Sequence, residues 1–165
     1  MLEAALELFG TDGYRATSIE RLCAAAAVST RNFYEEFSGR EALLIAVHDR
    51  IVTSAFEAAM AAYEASDGQP QPARFKVASR AYLESVCSDP RNARIAYVEV
   101  LGVGPAVEAH RIMWRDRFTG HAVQTAQKMI AEGLIATATG LLVAIVALIP
   151  YNYFRARRAW ASTST

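Results

Sequence analysis

The sequence predicts an all-α protein, and three observations carry the prediction. Apolar residues recur at i, i+3, i+4 and i+7 along the chain. Hydroxyl or acidic residues stand where successive apolar runs begin, as helix N-caps do. Alanine is heavily used, valine and isoleucine are thinly spread before residue 130, and prolines number five. The 165 residues, 53% apolar and 21% charged, exclude a disordered chain. They suffice for one domain, or a small domain with a second element attached, without disulfides or metal. Cys23 and Cys87 are too few for a disulfide scaffold and read as small buried hydrophobes in a reducing compartment. No basic, apolar signal peptide opens the chain.

The elements follow in order. Leu2, Ala5, Leu6 and Phe9 share one face of a first helix, which Gly10 and Gly13 are expected to stop. Thr17 and Glu20 form a Thr-x-x-Glu capping box. Ile19, Leu22, Cys23 and Ala26 repeat the spacing behind it, so a second helix runs from Ser18 to Ala26. Ala27, Val28 and Ser29 break it. Ser29 is placed to cap a third helix, with Val28 and Phe33 as a hydrophobic staple and Phe33 and Phe37 on one face. Two short capped helices joined by about three residues make a helix-turn-helix, whose second helix is the one presented to DNA. The plainer alternative is a helical hairpin in a bundle.

Ser38 and Glu41 give another capping box, and the stripe Leu43, Leu44, Val47, Ile51, Ala55 and Ala58 carries a fourth helix to about Ala65. Ser66–Pro72 is polar, holds Gly and Pro, and reads as a loop or domain joint. Phe75, Ala78, Tyr82 and Val86 mark a further helix. Asp89-Pro90 opens another that closes near Gly102. Gly104-Pro105 opens a third, through Trp114 and Phe118 to about Glu132. The aromatics Phe75, Tyr82, Tyr97, Trp114 and Phe118 are either core or the lining of a ligand pocket.

Residues 133–154 then carry no charge for 22 positions. As one helix that is about 33 Å, near the roughly 30 Å of a bilayer core. Tyr151, Tyr153, Arg155, Arg157 and Arg158 form the aromatic and basic boundary of a membrane span. Ala136, Ala138, Gly140, Ala144 and Ala147 equally suit a helix buried in a dimer interface. A span with the arginines cytoplasmic would place residues 1–120 outside the cytoplasm, which conflicts with DNA binding.

Charge does not name the partner. Residues 1–50 hold five arginines against eight acids, a net of −3, so no broad cationic face draws nucleic acid. His48, His110 and His121 lack metal-ligand spacing and read as surface or capping residues. With no nucleophile elbow and no phosphate loop, no enzyme is expected, and no catalytic residue, cofactor or metal.

The stretch LEAALELFGTDGYRATSIERLCAAAAVSTRNFYEEFSGREALL resembles the DNA-binding domain of the TetR/AcrR family of bacterial regulators. AALELF, the glycine pair before Thr17, Ala-Val-Ser at the turn, Phe33-Tyr34 with Phe37, and Arg40-Glu41-Ala42-Leu43-Leu44 carry the resemblance. It is close over residues 2–50 and looser to about 120. It implies a cytoplasmic homodimeric repressor that binds a palindromic operator in double-stranded DNA and is released by a small-molecule effector. By position, Thr17 and Ser18 would touch phosphate. Ser29, Thr30, Arg31 and Asn32 would face base edges, or else lie on a solvated surface. Tyr34 would reach phosphate and Arg40 would grip it. Two departures stand out: Ala27 occupies the turn position usually held by glycine, and Glu36, beside Glu35, replaces a usual histidine.

IAEGLIATATGLLVAIVALIPYNYFRARR, within residues 124–158, is similar instead to the last transmembrane helix of ExbB/TolQ/MotA proton-channel subunits. Glu132, Gly133, Ala136-Thr137-Ala138, Gly140 and Tyr151-Asn152 carry that likeness, and it implies a pore-facing role for Thr137. The organisation expected is therefore a TetR-like helix-turn-helix domain over 1–50 and an incomplete helical ligand-binding and dimerisation region over 51–132. An apolar helix over 133–158 follows, transmembrane or buried. The C-terminal part reads as truncated or chimeric. The alternative to a regulator is a membrane-protein fragment related to the proton channels, membrane-associated through 133–154.

Overall fold

The computed structural model describes residues 1–131. Those residues form seven α-helices and one π segment, with no strand among them. They divide into two units, with the boundary between residues 112 and 113. The apolar helix expected over 133–158 lies outside the described residues. Among the described residues no helix is long and apolar enough to cross a membrane.

α1 (Leu2–Thr11) buries Ala5, Leu6 and Phe9, as its spacing requires. Gly10 does not stop it. The helix continues through Gly10, which is buried and has no room for a side chain, since a Cβ there would fall 2.4 Å from the Cβ of Arg91. The chain turns instead at Gly13, whose φ of 98° suits glycine. α2 (Ile19–Ala26) is capped by Ser18, whose Oγ accepts from the Arg21 amide at 3.3 Å. The capping role expected of Thr17 is thus corrected: Thr17 is fully buried, and its hydroxyl donates to the Gly13 carbonyl at 2.8 Å.

α2 ends in a Schellman arrangement. The Ala27 amide donates to Ala24 at 3.2 Å and the Val28 amide to Cys23 at 3.0 Å. This requires Ala27 to sit at φ 54°, ψ 39°, the left-handed region. An alanine Cβ there costs about 1–2 kcal/mol, partly offset in glycine by its freer unfolded chain. Ala27→Gly is therefore expected to stabilise the protein by about 0.5–1 kcal/mol, read from chemical denaturation midpoints.

α3 (Thr30–Glu36) is capped by Ser29 and buries Phe33. α4 (Arg40–Ala65) starts after Gly39 with no side-chain cap, so Ser38 does not cap it. It runs unbroken through residues 50 and 51. Phe9, Leu22, Phe33, Leu43, Leu44 and Val47 are fully buried and form the N-terminal core. α4 packs along α5 (Gln71–Cys87) after a turn from Ser66 to Pro70.

Cys23 is buried as expected, but Cys87, at the C-terminal end of α5, is exposed. α6 (Pro90–Arg94) is capped by Asp89 with proline at its first turn, as the sequence predicts. The π segment Ile95–Glu99 follows without a break, and no feature of the sequence predicts it. α7 (Pro105–Ala131) closes the described part. His48 is buried and His110 half-buried, which corrects their reading as surface residues; His121 is exposed.

Candidate nucleic-acid interface

α3 is a two-sided helix. Phe33 is fully buried, with the Phe37 ring 5.9 Å away and the Tyr34 ring set edge-on at 5.2 Å. Ser29, Thr30, Arg31, Asn32 and Tyr34 are all exposed. One apolar anchor thus turns every residue expected to contact DNA, on this helix, toward solvent. The Ser29 hydroxyl accepts from the Asn32 amide at 3.1 Å and donates to Asn32 Oδ1 at 2.9 Å. That leaves the Asn32 side-chain nitrogen as the donor this residue offers. Arg31 Nε meets Glu35 Oε1 at 3.1 Å, with the two side chains 87% and 61% exposed. A pair so open to water is worth little, so the guanidinium is readily redirected to another acceptor.

Ser18 is half-buried at the start of α2, with its oxygen engaged as a cap. Thr17, expected beside it as a phosphate contact, is enclosed and presents no side chain to a ligand. Arg40 is half-buried at the start of α4. Its Nη1 donates to the carbonyls of Tyr14, at 3.3 Å, and Thr17. Its guanidinium lies 4.9 Å from the centre of the Tyr14 ring. Arg40 therefore fastens the loop between α1 and α2 to the first turn of α4.

A second fastening lies beyond what the sequence predicts. Glu99 accepts from the Tyr14 amide at 2.7 Å and from Arg94 Nε at 2.8 Å. Arg94 also donates to the Thr11 carbonyl at 2.6 Å. Arg91 pairs with both Glu7 and Asp89. The end of α1 and the loop before α2 are thus held by α6 and the π segment. No sequence signal points here, because residues five apart stand about 140° apart on an α-helix. The wider π turn brings Arg94 and Glu99 together.

The five aromatic candidates fall in both units. In residues 1–112, the Tyr97 hydroxyl donates to the Tyr82 hydroxyl at 3.1 Å, and burial pushes both phenols up. Phe75 is half-buried. In the second unit, Trp114 and Phe118 pair at 5.8 Å, with the Arg117 guanidinium over the indole at 5.0 Å. A polar cleft of about 380 Å³ opens among α1, α4, α5 and α6, lined by Glu3, Arg50, Ser54 and Asn92 among others and by none of the five. Among the described residues no three His, Cys, Asp or Glu side chains are arranged to hold a metal ion.

Comparison with known proteins agrees with this geometry. Residues 1–47 match the family of bacterial regulatory proteins described as the tetR family. Residues 117–163 match the MotA/TolQ/ExbB proton channel family. No curated protein matches. Among solved structures, the transcriptional regulator FadR from Bacillus subtilis in complex with stearoyl-CoA superposes with a TM-score of 0.75. Its identity is 14%, over 88% of this chain and 78% of that one. A TetR-family regulator from Syntrophomonas wolfei gives 0.75 at 20% identity, covering 92% and 80%. The TetR-family regulator PfmR from Thermus thermophilus gives 0.66 at 24% identity, covering 93% and 84%. These likenesses establish the fold.

Proposed function

From the fold of a TetR-family transcriptional regulator, with that family's DNA-binding domain over residues 1–47, we propose that this chain is a cytoplasmic repressor. It binds a palindromic operator as a homodimer and is released by a small molecule. The observation that carries the reading is the polar face of α3, held outward by Phe33. Arg31 and Asn32 on that face have the donors that read guanine and adenine edges in the major groove. Thr30, Ser29, Ser18 and Tyr34 supply hydroxyls for bases and phosphates. Arg40 and Thr17 act from behind, by fixing the loop that carries Ser18.

The helical region over 51–132 is the proposed effector and dimerisation region. Tyr97 and Glu99 lie two residues apart on the π segment, so an effector that parts Tyr97 from Tyr82 pulls on the Tyr14 amide. The Bacillus subtilis neighbour was solved with stearoyl-CoA, which makes long-chain acyl-CoA the first effector to try. The likeness over 117–163 covers a short segment at one end of the given sequence, and no transport reading is built on it.

Fluorescence anisotropy with palindromic duplexes tests the proposal. Specific binding survives moderate salt for one sequence class while other duplexes dissociate. Loss of every duplex at the same salt would leave non-specific attraction and refute the operator. Two substitutions sharpen it. Glu35→Gln frees Arg31 and removes a negative charge near the backbone, so affinity is expected to rise about three- to ten-fold. Tyr34→Phe removes one hydroxyl bond to phosphate, worth about 1 kcal/mol, so all sequences weaken alike by about five-fold. Stearoyl-CoA should dissociate the complex; indifference to it would remove that effector class.

A further inference from the structure

α4 and α7 meet at two places. Near the start of α4, the Glu41 carboxylate lies against Gly104, where an added Cβ would be 2.8 Å from its Oε1. Gly104 accepts the first bond of α7, from the Glu108 amide at 3.1 Å. Two turns further along each helix, the rings of His48 and His110 meet edge to face, centroids 5.2 Å apart at 77°. His48 is 4% exposed. Among the described residues neither His48 Nδ1 nor His110 Nε2 has a hydrogen-bond partner, although both atoms are buried. Asp49 Oδ1 lies 3.6 Å from His110 Nε2, too far for a hydrogen bond.

The charged groups facing the pair are Asp49 on α4 and Arg111 on α7, and on the π segment the Ala96 backbone accepts a hydrogen bond from His48. We propose that this contact is a proton-sensitive joint: acid charges the histidine pair, α4 and α7 part, and the protein lets go of DNA. The DNA half of this statement rests on the function proposed above; the joint itself does not.

The physics is a comparison of closed and open states. Closed, a charged imidazole would lose its hydration, face a second imidazole and stand near Arg111, with only Asp49 and the Ala96 backbone in its favour. These effects hold His48 down from 6.5 to about 4, burial being the largest, and burial lowers His110 as well. Above pH 6.5 both states are neutral and acid has no leverage. Between 6.5 and about 4 only the open state takes up the proton, so the closed joint loses ground as pH falls. For His48 alone, the open form gains roughly thirty-fold in relative weight by pH 5. α4 carries the change to Arg40, two turns before His48, whose guanidinium holds the Tyr14 and Thr17 carbonyls.

The test uses the full chain, its selected duplex, and the variants His48→Phe and His110→Gln, at pH 7.5 and pH 5.0. Phenylalanine fills the imidazole space and cannot charge. The parent's DNA affinity should fall between the two pH values, by at most about thirty-fold through His48 alone, and that of His48→Phe should fall less. Melting temperatures should diverge in the same direction, the parent falling further with acid than the variant. If His48→Phe does not fold, His110→Gln serves the same comparison. Parallel pH profiles for parent and variants would overturn the joint. So would a rise in parental melting temperature with added Zn²⁺ that His48→Phe abolishes, since the pair would then be a metal site. If melting diverges but no duplex binds at either pH, the joint stands and the DNA reading fails.

Discussion

Glu99→Ala is expected to uncouple the N-terminal domain from the helices behind it. The side chain is 12% exposed and is the acceptor for both the Tyr14 amide and Arg94. Removing it leaves a guanidinium without its carboxylate and an amide without its acceptor. Breaking a well-buried pair costs about 3–5 kcal/mol, but Arg94 is 37% exposed, so the cost here should be about 2–3 kcal/mol. Glu99→Gln keeps an acceptor for Tyr14 and should lose about 1 kcal/mol. Denaturant titration reads both. The order matters more than the size: if Gln costs as much as Ala, the charge on Arg94 rather than the Tyr14 bond is what holds the loop. Because that loop leads into Ser18 and α2, Glu99→Ala should also weaken DNA binding well beyond its effect on melting.

Phe33→Ala is the second large effect. The ring is fully buried, touches Phe37 and Tyr34, and is the apolar anchor buried by α3. Truncating such a ring costs about 3–5 kcal/mol, a large part of the stability of an ordinary domain. α3 has seven residues, too few to persist as a helix without packing. The expected outcome is loss of the cooperative transition of the N-terminal domain at physiological temperature, with DNA binding lost entirely. Phe33→Leu, which keeps most of the apolar volume, should retain both in part. A Phe33→Ala protein that melts like the parent would show that α3 is held by something other than this anchor.

What is legible in the sequence is what depends on neighbours in sequence. Ser29 as a cap, Phe33 on the inner face and the Asp89-Pro90 start all follow from residues within one turn of each other. What is not legible depends on distant partners. Gly10 has the look of a helix stop because glycine usually is one, whereas here it makes room for Arg91. Thr17 fits a capping box by spacing, but the adjacent Ser18 takes the cap and Thr17 turns inward to Gly13. Arg40 also holds two loop carbonyls that lie more than twenty positions before it, which its own neighbours do not signal. Glu99 and Arg94 give no signal, since only a π turn makes them neighbours. His48 and His110 give none, since their contact joins two helices far apart in the chain.

The central claim is that the outward face of α3 reads base edges. Selection of bound duplexes from a randomised pool, repeated with Arg31→Ala and Asn32→Ala, tests it directly. Each substitution is expected to relax preference at its own one or two base positions, by about 1–3 kcal/mol per position, and to leave the others intact. If both variants select the same sequences as the parent, with the same stringency, α3 is not the reading element and the account is wrong.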